Sequence, residues 1–316
     1  MKILTTFRVK SIIKDKLIKT YKNTEFTFHA SMKDAIEDLK NAEVLITYGE
    51  DLNDEIIDSA QKLKWIMVLS AGIEKLPFEA IKRKGILVTN AKGIHKTPMA
   101  EYTISMMLQV ARNTKKIIEN EQHRNWDRSV KMVELAEKTI TILGTGAIGS
   151  EIARLAKAFR MNVLGINRSG KLPEFFDEVF TLDKSVKAFE NSDFIVSVLP
   201  STSETQQLFT RDLFKLMKKQ PIFINIGRGD VVEESVLLEM LQTGNISHAV
   251  LDVFEKEPLA ESHPFWKLEN VTVTPHISGL SSHYQPRGFE IFEYYLQQYI
   301  SGNKQYKNII DLDRGY

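Results

Sequence analysis

Apolar and polar positions between residues 1 and 90 switch repeatedly between two periods. Short apolar runs at 3–7, 25–28, 44–48, 65–69 and 86–89 have the length and side-chain types of strands. Charged, helix-favouring segments separate them, among them 11–20 and 54–61. This alternation predicts a parallel sheet with helices on both faces. A longer periodic segment follows over 98–112, with Ala100, Ile104, Met107, Leu108 and Ala111 on one stripe and Pro98 suited to its first turn. From Thr139 the strand–helix alternation restarts. Strands are predicted at 140–143, 161–166, 193–199, 221–226, 249–253 and 271–274, a helix at 231–242 closed by Gly244, and a terminal helix at 289–299. The fold class is α/β, with two doubly wound parallel sheets.

The chain has 316 residues, 43% of them apolar, which suits two domains with ordinary cores. A net charge of +1 and the lack of a long basic or acidic run argue against nucleic acid or anionic membrane as the main partner. With no cysteine, disulfides, thiolate metal sites and cysteine nucleophiles are excluded, and a cytoplasmic location is expected. The seven histidines lack metal-ligand spacing, so no metal is expected. No apolar stretch reaches the length of a membrane span.

The restarted pattern opens on a strand that runs into Gly144-x-Gly146-x-x-Gly149 and directly into a helix. Gly144 suits the tight turn, Gly146 lets the backbone approach a pyrophosphate, and Gly149 lets helix and strand pack closely. The helix N-terminus, around Ala147 and Ile148, offers unpaired N–H groups and a positive dipole end to the anion. The second strand ends at Asn167-Arg168-Ser169, where a site for NAD usually places an acidic residue about 20 residues past the first glycine. Neutral and cationic donors there favour NADP(H) over NAD(H), because Arg grips a phosphate and a carboxylate repels one.

Three later strands run into titratable residues. One stops at Ile226-Gly227-Arg228, the next runs through Asp252 to Glu257-Pro258, and the last reaches Thr274-Pro-His276. Ligands of open parallel sheets bind beyond the carboxyl ends of the strands, so Arg228, Glu257 and His276 form a candidate catalytic set. Their types suit hydride transfer to a carbonyl. His276 supplies a proton to the developing oxyanion, Glu257 favours its imidazolium, and Arg228 binds a carboxylate and polarises the carbonyl.

With those motifs in order, the chain resembles the D-isomer-specific 2-hydroxyacid dehydrogenase family. The matching pieces also include Leu69-Ser-Ala-Gly-Ile-Glu74, Ala100-Glu101 and Leu199-Pro200, and they span nearly the whole chain. The resemblance implies that Arg228, Glu257 and His276 are catalytic. It implies that Asp252 holds the nicotinamide carboxamide, that Pro200, Ile226 and Gly227 lie along the cofactor, and that Ala71 and Gly72 hold the substrate carboxylate. It further implies a Rossmann cofactor domain at 96–281, inserted into a flavodoxin-like substrate domain at 1–95 plus 282–316, and a homodimer. The Asn167–Ser169 ending is similar to NADP-preferring glyoxylate/hydroxypyruvate reductases.

Departures from the family pattern are Glu137, where many members have glycine, and Val198, where many have His. Residues 281–287 follow no assigned pattern, and Arg287 is expected to be a helix-end charge. Trp126, in a polar arm, suits either a subunit contact or packing within its own chain. The leading function is reduction of a small 2-oxo acid. The alternatives are a related dehydrogenase of another small acid and a cofactor-sensing binding protein.

Overall fold

The computed structural model describes residues 1–70, 72–73, 75–303 and 305–312. Contacts divide the chain into two compact units, residues 1–95 with 281–316, and residues 96–280.

In the first unit the elements are β1 (Lys2–Thr5), α1 (Ser11–Thr20), β2 (Glu25–Phe28), α2 (Met32–Leu39), β3 (Val44–Thr47), α3 (Asp54–Ser59), β4 (Trp65–Val68), α4 (Phe78–Lys84) and β5 (Leu87–Asn90). The five parallel strands take the order β2-β1-β3-β4-β5, which is the flavodoxin-like order. Successive side chains of a strand point to opposite faces, so each buried strand feeds two cores. Ile3, Val44, Ile46, Trp65 and Met67 face α1 and the terminal helix, whereas Leu4, Leu45, Ile66 and Val68 face α2, α3 and α4. The terminal helix is seated by Phe292, which stacks on Trp65 with centroids 5.5 Å apart.

The second unit holds α5 (Lys96–Ala111), α6 (Thr114–Gln122), β6 (Thr139–Leu143), α7 (Ala147–Ala158), β7 (Asn162–Ile166), β8 (Glu178–Phe180), α8 (Val186–Asn191), β9 (Phe194–Ser197), α9 (Arg211–Lys215), β10 (Ile222–Asn225), α10 (Glu234–Gln242), β11 (His248–Leu251) and β12 (Val271–Val273). The sheet order is β12-β11-β10-β9-β6-β7-β8, all parallel. Counted from β6, this is the Rossmann order with a seventh strand, and the order reverses between β6 and β9. Helices α5 and α7 cover one face through Ala100, Ile104, Met107, Ile152 and Ala156. The opposite face buries Phe189, Phe214, Leu237 and Met240 from α8, α9 and α10.

Several elements differ from the sequence expectation. The helix expected from 231 starts at Glu234, because Gly229–Val231 form a 3₁₀ turn. The terminal helix, α11, spans Tyr284–Ile300 and so begins five residues before the expected start. Pro286 fits its first turn, where no helical N–H partner is needed. Gly288 is required by packing, since a Cβ there would lie 2.8 Å from Leu69 Cγ. Glu137 adopts φ +65°, the backbone region that glycine favours, so that turn keeps a glycine-type conformation without glycine. Trp126 is 92% exposed and does not pack within its own chain. Among the described residues, no helix is long and apolar enough to cross a membrane.

Candidate active site

The glycine turn follows from the close approach of β6, α7 and β9. Gly144 has φ +99°, and a Cβ there would stand 3.2 Å from the Val198 carbonyl oxygen. At Gly149 a Cβ would fall 2.0 Å from the Gly144 carbonyl oxygen, so only glycine fits. Gly146, directly before Ala147 and Ile148 at the start of α7, is different: a Cβ there would meet nothing within 4 Å. Open space against the N-terminus of a twelve-residue helix fits a pyrophosphate.

The loop after β7 is closed by Asn167. Its amide donates to Thr145 Oγ1 at 2.8 Å and to the Lys171 carbonyl at 2.9 Å, while its oxygen accepts from the N–H groups of Ser169 and Gly170. Asn167 therefore shapes the loop and ties it to the glycine turn, with both amide donors engaged. Arg168 pairs with Glu204 at 2.9 Å, with both side chains largely exposed.

Beyond β10, Asn225 folds the next turn. Its amide donates to the Arg228 carbonyl at 2.8 Å, and its oxygen accepts the Gly227 N–H at 3.2 Å. Arg228 follows the buried pair Ile226 and Gly227, and its Nη1 donates to the Gly227 carbonyl at 2.9 Å. Gly229 allows this turn to lie on the next strand's loop, because a Cβ there would be 1.9 Å from the Phe254 carbonyl carbon. At Gly227 a Cβ would meet the Leu199 carbonyl oxygen at 2.4 Å, which places Leu199-Pro200 against the same turn.

Beyond β11 and β12 the structure brings Glu257 and His276 together. Nδ1 of His276 lies 2.8 Å from Glu257 Oε2, and Glu257 Oε1 accepts the Phe254 N–H at 3.1 Å. With Nδ1 directed at a carboxylate, Nε2 is the ring nitrogen left for a ligand. Glu255 in the same loop accepts the Glu234 N–H at the start of α10 at 2.8 Å, which anchors the loop to that helix. Asp252 is fully buried and accepts from Thr274 Oγ1, the Ile277 N–H and the Ser278 N–H. These bonds organise the segment carrying His276, a role that the sequence reading did not assign to Asp252.

In the first unit, Ala71 lies outside the described residues. Gly72 is half-buried, and its carbonyl accepts from Ser70 Oγ at 2.8 Å. Arg287 stands in the first turn of α11, where a cation opposes the helix dipole, and its Nη1 is buried with no hydrogen-bond partner among the described residues.

Asn225, Thr274, Tyr102, Glu204 and Gly229 were absent from the sequence-derived site. Asn225 had a local signal, since an Asn at a strand end, two residues before Gly227, favours a turn closed by its side chain onto the N–H two residues on. Tyr102 contacts Thr274 across 172 residues, and no local pattern announces such a pair.

Comparison with known proteins agrees with this architecture. Residues 104–278, more than half of the chain, match the model of the D-isomer specific 2-hydroxyacid dehydrogenase NAD-binding domain. Glyoxylate/hydroxypyruvate reductase B of Serratia proteamaculans is 35% identical over 251 residues, covering 78% of this chain and 77% of that protein. A D-3-phosphoglycerate dehydrogenase of Methanocaldococcus jannaschii is 34% identical over 83% of this chain, which spans only 50% of that relative's length. The crystal structure of a D-isomer specific 2-hydroxyacid dehydrogenase family protein from Aeromonas salmonicida superposes with a TM-score of 0.90 at 33% identity, covering 99% of both chains. An NADPH-dependent glyoxylate/hydroxypyruvate reductase from Sinorhizobium meliloti, in complex with NADP and sulfate, superposes with a TM-score of 0.82 at 25% identity, covering 100% of this chain and 99% of that one. The chain belongs to the D-isomer specific 2-hydroxyacid dehydrogenase family.

Proposed function

We propose that this protein reduces a small 2-oxo acid of the glyoxylate or hydroxypyruvate type to the 2-hydroxy acid, of D configuration where the product is chiral, with NADP(H) preferred over NAD(H). The observation that carries this reading is the 2.8 Å pairing of His276 Nδ1 with Glu257 Oε2 at the carboxyl ends of the strands that follow the glycine turn.

When bound, the nicotinamide supplies the hydride. As the carbonyl carbon is reduced, its oxygen gains negative charge and takes the proton from Nε2 of His276. Glu257 stabilises the imidazolium before transfer and fixes the ring's orientation. Arg228 polarises the carbonyl and binds the acid's carboxylate.

Gly144, Gly146, Ala147, Ile148 and Gly149 would hold the pyrophosphate, and Pro200, Ile226 and Gly227 would line the cofactor. An ionised carboxylate has about four acceptor directions. Three donors already reach Asp252, which leaves one for the carboxamide N–H. Arg168 and the Ser169 hydroxyl would bind the 2′-phosphate, on a loop whose shape Asn167 sets. The Sinorhizobium relative, solved with NADP, supports that preference.

Residues 96–281 are assigned to the cofactor and residues 1–95 with 282–316 to the substrate. The exposed Trp126, with the exposed Met132 and Val133 further along the same segment, is assigned to a homodimer contact. A cytoplasmic location accords with the absence of cysteine. The test supplies NADPH or NADH with a panel of 2-oxo acids and determines the configuration of each chiral product. D products support the reading. L products, or no turnover on any acid, contradict it.

A further inference from the structure

His276 carries a backbone strain that something must enforce. Its φ is +54°, a left-handed conformation disfavoured for a residue with a Cβ. Asp252 grips the segment from two sides. Its carbonyl accepts the His276 N–H at 2.9 Å, and its carboxylate accepts the N–H groups of Ile277 at 2.9 Å and Ser278 at 2.8 Å.

The third ligand of that carboxylate extends the grip to another element. Thr274 donates its single hydroxyl proton to Asp252 Oδ1 at 2.5 Å. The Thr274 oxygen therefore faces Tyr102 as an acceptor, and Tyr102 Oη lies 2.6 Å away. The direction of the chain follows: Tyr102 donates to Thr274, and Thr274 donates to Asp252. Burial, aided by the nearby Asp252 charge, pushes the Tyr102 phenol up to about 12, so it keeps its proton. Tyr102 belongs to α5, whereas Thr274 directly follows β12.

We propose that Tyr102 is a positioning residue for the reaction: by donating to Thr274 it locks the Thr274–Asp252 unit that sets the backbone of His276 and keeps the imidazole on Glu257. The inference rests on His276 being the proton donor. It assigns a part in catalysis to a helix residue that touches neither of the paired groups.

The test is a double-mutant cycle on the purified full chain, with NADPH and glyoxylate as probes. Y102F keeps the ring and removes the donor. It is expected to lower kcat about tenfold while the KM for NADPH stays within about twofold, with the thermal midpoint nearly unchanged. T274V is expected to lower kcat at least as much, and T274S, which keeps the hydroxyl, to restore most of it. Because the residues act in series, Y102F added to T274V should cost little more than T274V alone.

A kcat of Y102F equal to wild type overturns the proposal. So do additive losses, an equal rise in the NADPH KM, or failure of Y102F to fold, each of which assigns Tyr102 to the fold alone. H276A separates this failure from that of the underlying reading. If H276A retains turnover, the proton-donor assignment itself is wrong. If H276A is inactive and Y102F is unimpaired, only the positioning role falls.

Discussion

Glu257 is held on His276 by a second bond at its other oxygen: Oε2 faces Nδ1 at 2.8 Å, while Oε1 accepts the Phe254 N–H at 3.1 Å. A carboxylate anchored in this way fixes the orientation of the ring. Glu257→Gln should keep much of the geometry and lose the charge. Reduction should slow by about ten- to a hundredfold, with the KM for NADPH little changed, because the ring loses its anchoring carboxylate. An unchanged kcat in Glu257→Gln would remove Glu257 from the mechanism.

Two glycines separate fold from function. Gly229→Ala places a Cβ 1.9 Å from the Phe254 carbonyl carbon and 2.5 Å from the Glu255 nitrogen, so the Arg228 turn and the Glu257 loop must part. We expect a lower thermal midpoint and at least a tenfold loss of kcat/KM. Gly146→Ala meets nothing within 4 Å, so the midpoint should hold. NADPH titration by fluorescence should nevertheless show weaker binding, because the new methyl occupies the approach to the pyrophosphate. Full cofactor affinity in Gly146→Ala would contradict the assignment of the turn.

Cofactor choice should turn on Arg168 and Glu204. Their ion pair is largely exposed, so it is weak enough for a 2′-phosphate to displace. Arg168→Ala should raise the KM for NADPH about tenfold or more and spare NADH. Glu204→Gln removes the competing carboxylate and should lower the KM for NADPH. Equal losses for both cofactors in Arg168→Ala would contradict a phosphate-binding role.

Stability should depend on pH through His248. Burial chiefly, with the Lys115 charge second, lowers its pKa from 6.5 to about 4. The folded state keeps it neutral, while the unfolded chain takes up a proton below pH 6.5. Its contribution is therefore fully present above pH 6.5 and is lost as pH falls towards 4. Allowing for partial solvent contact, the loss is on the order of 2 kcal/mol. His248→Gln, which can still bond Thr272, should flatten the urea midpoint between pH 6.5 and 4 relative to wild type. Parallel curves would show that His248 does not carry the effect.

The doubly wound sheets were legible because buried parallel strands are short apolar runs between helical patterns. The edge strand β8 was not, since three residues with no fully buried side chain carry no period. Residues 281–287 were obscured by Pro286 and nearby Gly288, which resemble helix breakers. One is tolerated in a first turn, and the other is demanded by Leu69. The chemistry of Arg228, Glu257 and His276 was visible in their types and their places after strands. What holds them was less so. Asp252 and Tyr102 act through partners far along the chain, and hydrogen-bond networks of that kind leave no spacing to detect. Asn167 shows the converse. Its residue type suggested a cofactor donor, but its amide is engaged by Thr145 of the glycine turn and by the Lys171 carbonyl.

The most direct test of the central claim is the initial rate of NADPH oxidation with glyoxylate and with hydroxypyruvate, for wild type and His276→Ala side by side. Wild-type turnover with a preference for NADPH over NADH, reduced by at least about 10²-fold in His276→Ala, is the predicted result. A wild-type protein that binds NADPH but turns over neither acid, or a His276→Ala variant as fast as wild type, would contradict it.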